Sequence, residues 1–300
     1  MLSLLRRNLF TVYSPTSVIM IQDFSFVDEV VIEGVPGAGK SSSLSTLMPM
    51  LETQLCETHV VMLNYRPVRV LQDELEHDPN RTAHLMARCY QPSIRRFHIL
   101  FRLTTALPTV LSRIKHYERF KAEHDRTGKR ILNVLERNEL TAAGLFVPCA
   151  YYHMYEDEEA MEQTVEPGLR LAWADVQTLQ KHMLDLINYI REMTAPARTL
   201  LIWMKLPPTT AWERVMKRGQ KDEKDGLNIS YMRYLHYAHQ AFCTSDEEAM
   251  VAVNRRIIPF QDLYDVDRDA VLTLDVAPFD EQGPYPAAKE LCDRIASFLP

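Results

Sequence analysis

Gly34-Val35-Pro36-Gly37-Ala38-Gly39-Lys40-Ser41 follows the apolar run Val30-Val31-Ile32-Glu33 and fits G-x-x-x-x-G-K-[ST] throughout. The residue types suit one task. Glycines let the backbone wrap an anion, successive N–H groups point inward, and the helix that follows adds its positive N-terminal end. Lys40 would neutralise β- and γ-phosphates, and Ser41, with Ser42 behind it, would offer a hydroxyl to Mg²⁺, a hard cation that takes oxygen donors. The stretch therefore marks a nucleoside triphosphate site between a buried strand and a helix.

Working outward, β-rich apolar runs recur at Phe26 to Glu33, His59 to Tyr65, Arg130 to Leu135, Thr199 to Leu206 and Ala270 to Val276. Amphipathic stretches long enough for crossover helices separate them, which predicts a parallel sheet within an α/β fold. Nine glycines in 300 residues leave few helix breaks. Pro207-Pro208 ends the fourth strand and can open a helix, and Asp225-Gly226 marks a turn before the amphipathic run Ile229 to Phe242. The acidic cluster Glu156-Asp157-Glu158-Glu159 reads as a solvated helix end or loop.

Composition narrows the function. With 46% apolar and 25% charged residues the chain is globular, and length alone allows one large α/β domain or two smaller ones. A single domain over residues 23–300 is expected, behind a leader at 1–22. A net charge of −6 gives no general electrostatic case for nucleic acid or an anionic membrane. No apolar run reaches the roughly 18 residues that a spanning helix needs. Cys56, Cys89, Cys149, Cys243 and Cys292 form no C-x-x-C pair and suit a reducing compartment as small buried residues. The leader carries Arg6 and Arg7 and no acid before Asp23. It reads as an irregular extension on a cytoplasmic protein or, alternatively, as a mitochondrial transit peptide.

A regulatory GTPase would be expected to show Asn-Lys-x-Asp, which does not occur, and a nucleic-acid motor would want a basic track. Phosphoryl transfer to a small acceptor fits better, and it needs cations around the transferring group. Arg214, Lys217, Arg218 and Lys221, at intervals of three and four, supply them along one helical face.

These residues resemble the deoxynucleoside kinases, the group of deoxycytidine, deoxyguanosine and non-zinc thymidine kinases. Ile32-Glu33-Gly34 is similar to that family's opening strand. Leu135-Glu136-Arg137-Asn138 resembles its Glu-Arg-Ser element, with Phe146-Val147 at the family's distance. Lys205 through Arg214 to Arg218-Gly219 resembles the strand, helix and lid, Tyr231 to His239 the next helix, and Leu272 to Val276 the last strand. The divergence suits a viral or otherwise fast-evolving member.

The resemblance implies a doubly wound P-loop kinase fold, a five-stranded parallel sheet flanked by helices with a helical lid. It implies a homodimer that moves the γ-phosphate of ATP, with Mg²⁺, to the 5′-hydroxyl of a deoxynucleoside in nucleotide salvage. It implies no nucleic-acid or membrane partner. Gly34 to Ser42 would hold ATP, and Lys40, Arg137, Arg214 and Arg218 would stabilise transferring charge. Glu136 would join Ser41 near the metal, Arg137 would bridge substrate oxygen and phosphate, and Glu223 falls where the family's acid touches the sugar.

Four positions depart from the family's pattern. The family's Glu-Pro-Val general base reads Tyr65-Arg66-Pro67-Val68 here, and arginine cannot take a proton. Gln91 is a suitable amide for a base edge, displaced by about a turn from the family's glutamine. Ala142 and Gln220 replace an acid and an arginine. Arg66 also suits a thymidylate-type monophosphate kinase, whose acceptor is already ionised, and the departures together would suit a catalytically weak nucleotide-binding protein.

Overall fold

The computed structural model describes residues 25–55, 58–63, 118–157, 171–194, 196–219, 227–276 and 284–299. The leader, Tyr65, Arg66, Gln91, Gln220, Lys221 and Glu223 lie outside them, as do Cys56 and Cys89.

Five strands form one sheet: β1 Val27–Glu33, β2 Thr58–Leu63, β3 Arg130–Leu135, β4 Arg198–Lys205 and β5 Ala270–Asp275, in spatial order β2-β3-β1-β4-β5. Every neighbouring pair is parallel. The expected strands are all present, β3 with the expected ends. Between β1 and β2 lies α1 Lys40–Gln54. After β3 come a short α2 Glu139–Thr141, a π-helical turn Ala142–Phe146, α3 Val147–Tyr155 and α4 Trp173–Thr194. After β4 come α5 Pro208–Arg218, α6 Ile229–Thr244, α7 Glu247–Ala252 and α8 Phe260–Leu263, and α9 Pro284–Phe298 follows β5.

Burial explains the arrangement. Val30, Val31 and Ile32 of β1 are fully buried, as are Leu132 and Val134 of β3 and Leu201 and Ile202 of β4, the pattern of strands covered on both faces. Leu44, Leu47 and Leu51 of α1 enter the same core as Ala288, Leu291 and Ile295 of α9, and the two helices pack together. Leu184, Ile187 and Ile190 give α4 a stripe at intervals of three. A second cluster joins Tyr151 and Tyr155 of α3 to Val176 and Trp173 of α4, so these aromatics serve packing.

The π-helical turn was not legible in the sequence. Its widened backbone leaves carbonyls for distant partners: Gln180 Nε2 donates to Ala143 O at 2.7 Å, and the Ile258 N–H donates to Gly144 O at 3.3 Å. Two members of the acidic cluster, at the end of α3, are tied into the fold rather than solvated, while Glu158 and Glu159 lie outside the described residues. Glu156 pairs with Arg256, and Asp157 is fully buried against His153 and Asn228. Asn228 caps α6 by accepting from the Tyr231 N–H while donating to Asp157, so one side chain ties α3 to the start of α6.

β1 connects to β2 and β3 on one side, and β4 and β5 lie on the other. The carboxyl end of β1 is therefore the switch point of the sheet, where open α/β folds place ligands.

Candidate active site

The carboxyl ends of β1, β3 and β4 each deliver one part of the site. After β1, the loop from Gly34 turns sharply and enters α1, with the Ala38 N–H bonded to Val35 O at 3.1 Å. Two glycines are required by space. A Cβ on Gly34 (φ +154°) would meet Met204 O of β4 at 2.8 Å, and one on Gly37 (φ +85°) would meet Ala211 O of α5 at 2.5 Å. The loop is thus pressed against the β4–α5 segment. Helix α1 starts at Gly39 with no side-chain cap and no acid in its first turn, so its leading N–H groups and dipole remain available to an anion.

Lys40 is buried, its Nζ donating to Gly34 O at 2.6 Å and Val35 O at 3.1 Å. Burial, with further repulsion from Arg137 and Arg218, lowers its pKa to about 8, against the opposing pull of Glu136 and Glu33. The loop thus holds an ammonium that an arriving phosphate would favour.

After β3, Glu136 and Arg137 stand at the same sheet edge. The Ser41 hydroxyl donates to Glu136 Oε2 at 3.4 Å, which brings together the two oxygen donors expected near a metal. The pair fits Mg²⁺, which is commonly bound through one or two protein oxygens plus substrate phosphates and waters. Among the described residues no group of three or more His, Cys, Asp or Glu could form an all-protein cage. The Arg137 guanidinium lies over the Phe146 ring at 3.8 Å from its centroid, with Nε 3.6 Å from Glu33 Oε2. Asn138, standing where the resemblance has serine, makes a capping box with Thr141 and donates Nδ2 to the Tyr264 hydroxyl at 2.8 Å.

After β4, Arg214 of α5 donates Nη1 to Gly37 O at 3.1 Å, so the cationic helix is bonded to the phosphate loop. Arg218, one turn on, is close enough to act on Lys40. Gly219 adopts φ +76° and caps α5, so this helix ends at Arg218, and Lys221, expected on the same face, lies outside the described residues.

Of the expected residues, the structure brings together the loop Gly34, Val35, Pro36, Gly37, Ala38, Gly39, Lys40, Ser41 and Ser42 with Glu136, Arg137, Arg214 and Arg218. The acceptor-side residues Tyr65, Arg66, Gln91 and Glu223 lie outside the described part. Sequence reasoning missed Glu33 and His239. Glu33 is 1% exposed, and His239, fully buried on α6, has Nε2 3.9 Å from Glu33 Oε2. The available signal was an acid at the end of the apolar run Val30-Val31-Ile32.

A family model described as deoxynucleoside kinase matches residues 30–283. The chain is 24% identical over 248 residues to "Uncharacterized protein ORF44" of Ostreid herpesvirus 1 (isolate France), covering 79% of this chain and 80% of that protein. It is 29% identical over 99 residues to deoxycytidine kinase 2 of Gallus gallus, covering 33% of this chain and 32% of that one.

Proposed function

The chain belongs to the deoxynucleoside kinase family, and on that premise we propose that it transfers the γ-phosphate of ATP to the 5′-hydroxyl of a deoxynucleoside, a step of nucleotide salvage. Membership supports a kinase, a nucleotide-binding phosphotransferase. The finer reading is supported by one observation: the uncapped N-terminus of α1, Glu136-Arg137 and Arg214 converge at the carboxyl ends of three adjacent strands.

The triphosphate lies along the loop 34–42, with Lys40 at its β- and γ-oxygens. Ser41 and Glu136 would hold Mg²⁺, which would draw charge from the phosphate oxygens. Arg137 orients the acceptor oxygen and the γ-phosphate, and Arg214 and Arg218 offset charge on the transferring group. A bond forms from the acceptor oxygen to the γ-phosphorus as the bond to the bridging oxygen breaks. ADP leaves, and the hydroxyl proton passes to an oxygen of the product phosphate. Transfer of this type rests mainly on positioning and electrostatics, so arginine at the usual base position slows it rather than abolishing it.

Arg66 favours a second reading, phosphorylation of a monophosphate whose acceptor oxygen is already ionised. The test is transfer of labelled γ-phosphate from Mg-ATP, by the full chain, to four deoxynucleosides and their 5′-monophosphates, with deoxycytidine first because one relative carries that name. Labelled monophosphates are expected. Labelled diphosphates would move the assignment to the second reading, and ATP binding without any labelled product would refute both and leave a nucleotide-binding protein.

We also propose a homodimer. Leu179, Leu186 and Tyr189 of α4 are 40%, 39% and 60% exposed, an apolar face that a second copy would cover. Sedimentation should give twice the chain mass, and Tyr189→Glu should shift it toward monomer.

A further inference from the structure

Behind Arg137 lies a buried ionic cluster that the proposed transfer does not use directly. Both Glu33 oxygens, Arg137 Nε and His239 Nε2 are buried without a hydrogen-bond partner. Buried polar atoms are rarely left so, and these four face one another. Glu33 Oε2 stands 3.6 Å from Arg137 Nε and 3.9 Å from His239 Nε2, separations that a shift of under about 1 Å would turn into hydrogen bonds.

The rest of the His239 ring is fixed. Nδ1 lies 2.6 Å from Leu235 O, so it carries the hydrogen and donates, which leaves Nε2 to face the carboxylate. One edge of the ring meets Phe146 at 5.8 Å between centroids, and its face is parallel to Trp203 at 6.3 Å. Phe146 is also the ring on which the Arg137 guanidinium rests. His239 thus touches both supports of Arg137, the carboxylate and the aromatic face. Thr141 and Cys243 complete the surroundings of Glu33. Burial by itself would raise the Glu33 pKa, but His239, Arg137 and Thr141 outweigh it and hold the carboxyl below its ordinary value.

We propose that Glu33 and His239 form a buried carboxylate–imidazole pair that holds Arg137 beside Lys40, which makes His239 a positioning residue for phosphoryl transfer. The inference rests on the kinase reading above. With Nδ1 donating to Leu235 O, Nε2 donates as well only in a ring that carries hydrogen on both nitrogens, and a carboxylate shared between that ring and the guanidinium fixes Arg137 without withdrawing it. With His239 gone, Glu33 is left to Arg137 alone and draws the guanidinium back from the phosphate.

Two replacements of similar size separate positioning from packing. His239→Gln keeps a donor near Nε2, whereas His239→Leu suits a pocket walled by Phe146 and Trp203 but donates nothing. Positioning predicts that Gln retains kcat while Leu lowers it on the order of 10- to 100-fold with the KM for ATP little changed. A packing role predicts the reverse order, since a buried amide costs more than leucine there. In an Arg137→Ala background, Gln and Leu should then give the same residual kcat. Losses that multiply across the two sites would overturn the proposal. The Arg137 Nε–H NMR signal supplies a readout free of turnover. It should be alike in the wild type and His239→Gln, and shifted with slower exchange in His239→Leu, where Glu33 closes on Arg137 Nε alone. An unchanged signal in the leucine variant would overturn the pairing even if no acceptor is phosphorylated, an outcome that would refute the kinase reading separately.

Discussion

Replacing Lys40 by methionine should make the unliganded protein more stable while removing its response to ATP. The lysine is buried and its pKa stands at about 8 against an ordinary 10.5. At about 1.4 kcal/mol per tenfold change in proton affinity, holding the ammonium charged at neutral pH costs the folded state roughly 3 kcal/mol. The variant forfeits the bonds to Gly34 O and Val35 O, about 1 kcal/mol net, so a gain of about 2 kcal/mol remains at pH 7.

The pH dependence gives a second check. Between pH 8 and 10.5 the unfolded chain binds a proton that the folded chain does not. Wild-type stability therefore rises through that window, and the penalty is complete below it. Urea denaturation from pH 7 to 10.5 should show the variant's lead shrinking and then reversing to a deficit of about 1 kcal/mol at the alkaline end, with titrations common to both cancelling in the difference. ATP at pH 7 should stabilise the wild type far more than the variant, because phosphate favours the charged lysine. Parallel stability curves, or equal stabilisation by ATP, would refute the reading of Lys40 as a charge held ready for phosphate.

Gly37→Ala puts a left-handed residue and a Cβ against Ala211 O, so a strain of about 1–2 kcal/mol and displacement of α5 should weaken ATP binding by calorimetry while circular dichroism stays unchanged. Asn138→Ala removes the cap of α2 and a partner of the Tyr264 hydroxyl, and denaturation should show a loss of about 2 kcal/mol. Arg256→Met leaves Glu156 unpaired and strips a cation from the Tyr151 and Trp173 rings, and should cost about 3 kcal/mol without changing the KM for ATP.

The phosphate end was legible because its constraints are local. Gly34, Gly37 and Lys40 sit at fixed spacing within one turn, and the apolar runs of β1, β3 and β4 identify themselves by near-continuous burial. What escaped depends on partners far along the chain. Asp157 is a charge cluster in sequence and a buried acceptor in space because His153 and Asn228 reach it. The π-helical turn exists through Gln180 and Ile258, and nothing in Ala142 to Phe146 announces it. His239 stands in the sequence as the end of the stretch Tyr231 to His239, and only the fold brings it to Glu33.

The same contrast explains why the site can hold its phosphate machinery while the acceptor positions diverge. Burial depresses the Lys40 pKa, Arg137 and Arg218 lower it further, and Glu136 and Glu33 pull the other way. A site with excess cation is costly when empty and gains most from a polyanion, so its donors need little rearrangement as charge develops. That strain is bearable because each cation is anchored: Lys40 by loop carbonyls, Arg214 by Gly37 O, and Arg137 by Glu33 and Phe146. Changing any anchor releases repulsion into the loop itself. Replacing an acid by Ala142 does not, because the side chain there is a small buried apolar group on a turn already secured by Gln180. Substitution is therefore cheap at Ala142 and expensive at the anchored cations of the phosphate site.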